Sequence, residues 1–196
     1  MSVLATPSEF DSADRPRPKR WTLTQMERFL ALGADFGSVE LLGGTIYEKM
    51  PQNDLHWYAL SSARRAVTTV LGIERTEVRM PLKFSEADAP EPDVSVLSRR
   101  TSRPGPGDVE LVVEISDTSL AFDLGEKAAT YARHGVLEYW VVDLNRREVV
   151  VHRGPVGEGW TSVERVGESA ALVPLAAPDA TIPAASLMRT EPDGTS

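Results

Sequence analysis

Glu114 lies in the run Leu111-Val112-Val113-Glu114-Ile115, where a strand apolar on both faces buries a carboxylate. An acid there needs a cation, a metal or strong donors beside it, and a structural ion pair is the alternative to a catalytic role. Asp93 follows Pro92 and opens Asp93-Val94-Ser95-Val96-Leu97, which puts a second acid at the start of a neighbouring strand, although Asp after Pro is also ordinary turn chemistry. Leu120, Leu124, Lys127 and Tyr131 fall on one helical stripe, so that a lysine points towards the sheet; pairing with Asp123 or snorkelling outward is the alternative. Two acids on adjacent strands with a lysine beside them suit a hard divalent ion, Mg²⁺ or Mn²⁺, and hydrolysis of a phosphodiester. Glu40, between Val39 and Leu41, adds either an outer carboxylate or an exposed residue of an alternating strand.

The elements that must position these groups follow from periodicity and punctuation. Thr22 or Thr24 caps a short helix with Met26, Phe29 and Leu30, and a loop runs from Gly33 to Gly37. Gly43-Gly44 joins the strands Val39 to Leu42 and Thr45 to Met50 as a hairpin. A helix capped by Asp54 carries Leu55, Ala59, Ser62, Ala66 and Val70 on one face and ends before Gly72. Strands are expected over Glu77 to Phe84, Asp93 to Leu97, Val109 to Ser116, Glu138 to Asp143 and Arg147 to Arg153, with weaker edge structure from Trp160 to Leu187. A helix from Ser119 to His134 between two strands predicts a parallel crossover. On that crossover Glu114 sits roughly 10 Å back along its strand, at about 3.3 Å per residue. Lys127 sits roughly 12 Å back along its helix, at about 1.5 Å per residue. The two are therefore level.

Composition narrows the classes. The 196 residues hold no Cys, which excludes disulfides, thiolate metal sites and a cysteine nucleophile and makes the cytoplasm the default location. No apolar run approaches the roughly 20 residues of a membrane span, and Met1 to Asp14 lacks the apolar stretch of a signal peptide. One domain is expected over residues 21–190, with disordered tails at 1–20 and 191–196. The formal charge of −8 argues mildly against avid duplex binding. The basic clusters Arg15/Arg17/Lys19/Arg20, Arg64/Arg65, Arg75/Arg79/Lys83 and Arg99/Arg100/Arg103 read as a basic tail and solvated faces in preference to phosphate contacts. Tyr131, Tyr139 and Trp140 read as core, and His134 as a partner of a helix C-terminus.

At these residues the chain resembles the Uma-type restriction-endonuclease family, a branch of the PD-(D/E)xK nuclease superfamily, from about Thr22 to Arg153. The matching stretches are Glu40-Leu41-Leu42-Gly43-Gly44, Glu91-Pro92-Asp93-Val94, Leu111 to Ser116, and Asp123-Leu124-Gly125-Glu126-Lys127 leading through Tyr131, Gly135-Val136 and Glu138 to Asp143. The resemblance implies an α/β (α+β) fold, a restriction-endonuclease-like mixed central sheet flanked by helices. It also implies Asp93 and Glu114 as metal ligands, the carbonyl of Ile115 as a third, and Glu40 as a supporting acid. The superfamily's lysine stands two residues after the second acid, where this chain has Ser116; the resemblance places it on the next helix as Lys127. Gly43 stands where an acid is usual, and His56 matches a histidine of the family's first long helix, although a structural helix histidine explains it better. The expected partner is DNA, acted on by a homodimer. A catalytically inactive nuclease-fold binding module and a small-phosphoester hydrolase are the alternatives.

Overall fold

A six-stranded sheet dominates the computed structural model, which describes residues 17–35, 37–49, 51–189 and 191. The tails expected at the two ends lie largely outside the described residues. In chain order the elements are α1 (Leu23–Ala31), β1 (Val39–Leu42), β2 (Thr45–Glu48), α2 (Asp54–Leu71), β3 (Thr76–Val78), β4 (Val94–Leu97), β5 (Val109–Ser116), α3 (Leu120–Phe122), a π-helical turn (Asp123–Lys127), α4 (Ala128–Arg133), β6 (Glu138–Asp143), β7 (Glu148–Val156), β8 (Gly159–Gly167), β9 (Ala171–Leu172) and β10 (Ile182–Pro183). The sheet order is β3-β4-β5-β6-β7-β8. Only β5 and β6 run parallel, with Glu114 opposite Val141, and the α3–α4 helix makes the crossover between them. Among the described residues no helix is long and apolar enough to cross a membrane.

Period-two alternation splits the sheet into two faces. Val94, Val113, Ile115 and Trp140 pack under Ala59, Ala63 and Val67 of α2. Val112, Tyr139 and Val141 pack on the other side, against Ala128 and Tyr131 of the crossover helix. Glu114 is two residues from Val112, so it points to the crossover face. Burying each such Val or Ile contributes on the order of 1.5–3 kcal/mol, which fixes the register and with it the acid's position.

The opening hairpin forms where expected, with Gly43 and Gly44 at φ 54° and 73°. It is a separate two-stranded sheet, joined to the rest by the bridge Leu41–Ala89 and by a small cluster of Leu23, Met26, Leu41 and Ala89. Thr22 caps α1 in a reciprocal pair of hydrogen bonds with Gln25, and Phe29 and Leu30 remain exposed.

Four expectations need correction. The cap of α2 is Asn53 and not Asp54, and its buried face is Ala59, Leu60, Ser62, Ala63, Val67 and Leu71, which leaves Leu55 exposed. The strand expected to Phe84 ends at Val78, because Arg79 turns the chain at φ 50°; Leu82 and Phe84 still reach the core from a loop. The helix expected from Ser119 to His134 is interrupted by the π turn. The C-terminal part forms a nine-residue edge strand, β8, before the short β9–β10 pair.

Candidate active site

The end of the sheet where β5 finishes and β4 begins opens into a cavity of about 300 Å³. Glu40, Asp93, Glu114, Ile115 and Lys127, all the residues singled out from sequence, line it. Glu40, Asp93, Glu114, Asp123 and Lys127 are each only 3–4% exposed.

Lys127 is the hub. Its Nζ donates to Glu114 Oε1 at 2.9 Å and lies 3.3 Å from Glu40 Oε1. The Tyr131 hydroxyl donates to the same Glu114 oxygen at 2.8 Å, so this residue both packs in the core, as expected, and holds the acid. The two strand acids are cross-linked through the backbone: the Asp93 N–H donates to Glu114 Oε2 at 3.3 Å, and the Ile115 N–H to Asp93 Oδ2 at 2.9 Å. The Glu91 N–H holds Glu40 Oε2 at 3.2 Å.

Three contributors were not legible as such in the sequence. His56, expected to be structural, has Nε2 3.3 Å from Asp93 Oδ2, while its Nδ1 is buried without a partner. Gln52 reaches Asp93 Oδ1 at 3.4 Å from the residue before the α2 cap. Asp123 faces the cavity and accepts from the Ser119 hydroxyl at 2.6 Å. The π turn explains the last of these. It widens the helix locally, so Asp123 and Lys127 both turn inward, while Leu120 and Leu124 of the expected stripe are half-buried against the core. His134 caps the C-terminus of α4, as expected, and adds a tertiary contact, with Nε2 3.0 Å from Asp88 Oδ2.

Four buried carboxylates thus surround one buried ammonium. Burial pushes the Glu114 carboxyl up to about 8; Lys127 opposes this, and the neighbouring Asp93, Asp123 and Glu40 charges add to it. Asp123 is also raised, by burial in spite of Lys127. Burial works against the Asp93 charge too, yet the His56 contact, the Ile115 N–H and Lys127 outweigh it and hold Asp93 below its usual range. Lys127 is held above its ordinary value, because Glu114, Glu40 and Asp123 outweigh its own desolvation. The lysine therefore keeps its proton, and the surplus of acid falls on Glu114.

That surplus is what a divalent cation would neutralise. Among the described residues no three His, Asp or Glu side chains form a ready ligand cage. Asp93 and Glu114 with a main-chain oxygen and water nevertheless match the ligand set that Mg²⁺ accepts, one or two carboxylates and the rest solvent.

The Uma2 family, described as "Putative restriction endonuclease", matches residues 26–185 of the chain. A crystal structure described as a putative nuclease belonging to DUF820, from Anabaena variabilis, is 20% identical and superposes with a TM-score of 0.67. The match covers 85% of this chain and 97% of that one, and the likeness is one of fold. No curated protein matches the chain.

Proposed function

Because the chain belongs to the Uma2 restriction-endonuclease family, we propose that it is a metal-dependent endonuclease that hydrolyses phosphodiester bonds in DNA. The observation that carries this is the convergence of Asp93, Glu114 and Lys127, with Glu40 behind them, in one cavity holding more buried acid than base. Asp93, Glu114 and the Ile115 carbonyl would hold Mg²⁺ or Mn²⁺, which when bound supplies Lewis acidity towards the phosphate and towards water.

The chain's own groups divide the remaining work. With its acidic neighbours favouring the ammonium, Lys127 would donate hydrogen bonds to the attacking water or a phosphate oxygen. Glu40 and Tyr131 hold the lysine and Glu114 in place from opposite sides. The paired backbone bonds between β4 and β5 prevent either strand acid from turning away. His56 and Gln52 orient Asp93.

The test is incubation of purified protein with supercoiled plasmid in Mg²⁺, Mn²⁺ or EDTA, beside Glu114→Ala and Lys127→Ala. Metal-dependent cutting that both folded variants lose is the expected result. No cutting, with no metal binding by calorimetry, would instead favour an inert binding module on the same fold, a reading that the charge of −8 supports.

A further inference from the structure

Resting on that nuclease reading, we propose that Lys49 is the residue that binds the substrate's phosphate group, which leaves Lys127 to the attacking water. A phosphodiester brings negative charge into a cavity that Glu48 and Asp117 line in addition to the four buried acids, so a cation must meet it there. Among the described residues that line the cavity, the basic side chains are Lys49, His56 and Lys127. His56 has Nε2 beside Asp93 and Nδ1 closed to solvent. Lys127 lies between Glu114 and Glu40 with its side chain 5% exposed. Lys49, directly after β2, is the most exposed of the three, at 17%.

Its ammonium has a donor to spare. Nζ donates to the Glu91 carbonyl at 2.9 Å and to Glu91 Oε1 at 3.1 Å, and these are its partners among the described residues. An ammonium carries three N–H bonds, so one remains for a phosphate oxygen.

The lysine is also built into the site. Its backbone N–H donates to the Ser38 carbonyl at 2.8 Å, which fixes the chain at the end of the hairpin. Glu91, which holds the ammonium, gives its own N–H to Glu40 Oε2, and Glu40 Oε1 lies 3.3 Å from Lys127. Direct contacts therefore run from Lys127 through Glu40 and Glu91 to Lys49. Glu91 stands two residues before Asp93, at most about 7 Å along the backbone, so the ammonium is held close to the acid proposed to carry the metal. The Glu91 carboxylate is its counter-charge in the free protein.

The experiment measures steady-state cleavage of supercoiled plasmid in Mg²⁺ or Mn²⁺ over a range of salt concentrations, for wild type, Lys49→Met, Lys49→Arg and Glu91→Gln, with thermal melts to check folding. Lys49→Met should raise KM roughly ten-fold and leave kcat within about two-fold. The fall of log(kcat/KM) with log salt concentration should become shallower by about one unit, because one phosphate contact is lost. Lys49→Arg should restore both. Glu91→Gln removes the counter-charge but keeps the backbone carbonyl, so KM should not rise. If the pair only ties β2 to the segment before Asp93, Lys49→Met and Glu91→Gln will impair cleavage alike and the salt slope will not move. That result overturns the inference and leaves the nuclease reading standing. Should Lys49→Met not fold, a KM raised by folded Glu91→Gln overturns it equally. Failure of wild type to cut with either metal would remove the nuclease reading and this inference with it.

Discussion

Replacing Glu114 by Gln should make the metal-free protein more stable in alkaline buffer while removing the proposed cleavage. Glu114 has its carboxyl raised from an ordinary 4.5 to about 8 by burial and by the charges of Asp93, Asp123 and Glu40, beyond what Lys127 offsets. A carboxyl raised in this way binds a proton in the fold where the unfolded chain has already released it. Its contribution to stability therefore falls as pH rises from about 4.5 and is fully lost above about 8. At about 1.4 kcal/mol per pH unit, that window amounts to about 5 kcal/mol. Gln is neutral throughout and still offers an acceptor to Lys127 and Tyr131. The difference between variant and wild type should thus grow by about that amount across the window, or about 10–20 °C in melting temperature for a chain of this size. Urea denaturation in EDTA at intervals from pH 4.5 to 9 measures it. Adding Mg²⁺ or Mn²⁺ at pH 8–9 should stabilise wild type and not the variant. A difference that stays constant with pH would refute the reasoning, because it would mean that the Glu114 charge is compensated within the fold.

Lys127→Met leaves Glu114 and Glu40 without their shared cation, so it should cost roughly 3–5 kcal/mol in urea denaturation at pH 8 and lower cleavage by at least about 100-fold. Asp88 is buried, which opposes its charge, but the Gly43 N–H at 2.7 Å, His134 and Arg133 outweigh this and hold its carboxyl below 3.8. A lowered carboxyl stabilises the fold above about 3.8 and loses that contribution as pH falls through its folded value. Asp88→Asn should accordingly cost about 1.5–3 kcal/mol at pH 7 and little in strong acid, as thermal melts from pH 2 to 7 would show. Gly44→Ala places a methyl 2.9 Å from Arg20 Cβ and 3.1 Å from the Trp21 carbonyl at φ 73°, and should cost more than about 1 kcal/mol by denaturant titration.

What the sequence made legible was governed by local pattern. Apolar alternation marked β5 and β6, and a helix of crossover length between them implied parallel pairing, so Glu114 and Lys127 are level from the residue rises of strand and helix alone. The misreadings arose where geometry departs from a regular period. Counting 3.6 residues per turn put Leu120, Leu124, Lys127 and Tyr131 on the inward stripe, where they pack, but gave no sign of the π turn that brings Asp123 into the site beside them. His56 precedes the part of α2 that covers the sheet, so its approach to Asp93 depends on where the helix begins relative to β4, a tertiary quantity no periodicity carries. Arg79 in a left-handed conformation cut short a strand whose residues favour extension, because Leu82 and Phe84 could still be buried from a loop.

The separate hairpin is the part of the site that stands outside the large sheet. β1 and β2 bond to each other and are tied to the rest by a small apolar cluster, a few main-chain bonds and side-chain contacts such as Glu40–Lys127, Gly43–Asp88 and Tyr47–Phe122, whereas β5 lies between two full partners. Backbone amides of Val39–Leu42 should accordingly exchange with deuterated solvent well before those of β5 and β6, in an opening that leaves the large sheet intact. Each such opening carries Glu40 away from Lys127 and Tyr47 away from Phe122 in a single motion. Access to the cavity and the electrostatic balance of its floor would then depend on one two-stranded ribbon, four residues from each strand, and not on rearrangement of the sheet that carries the acids.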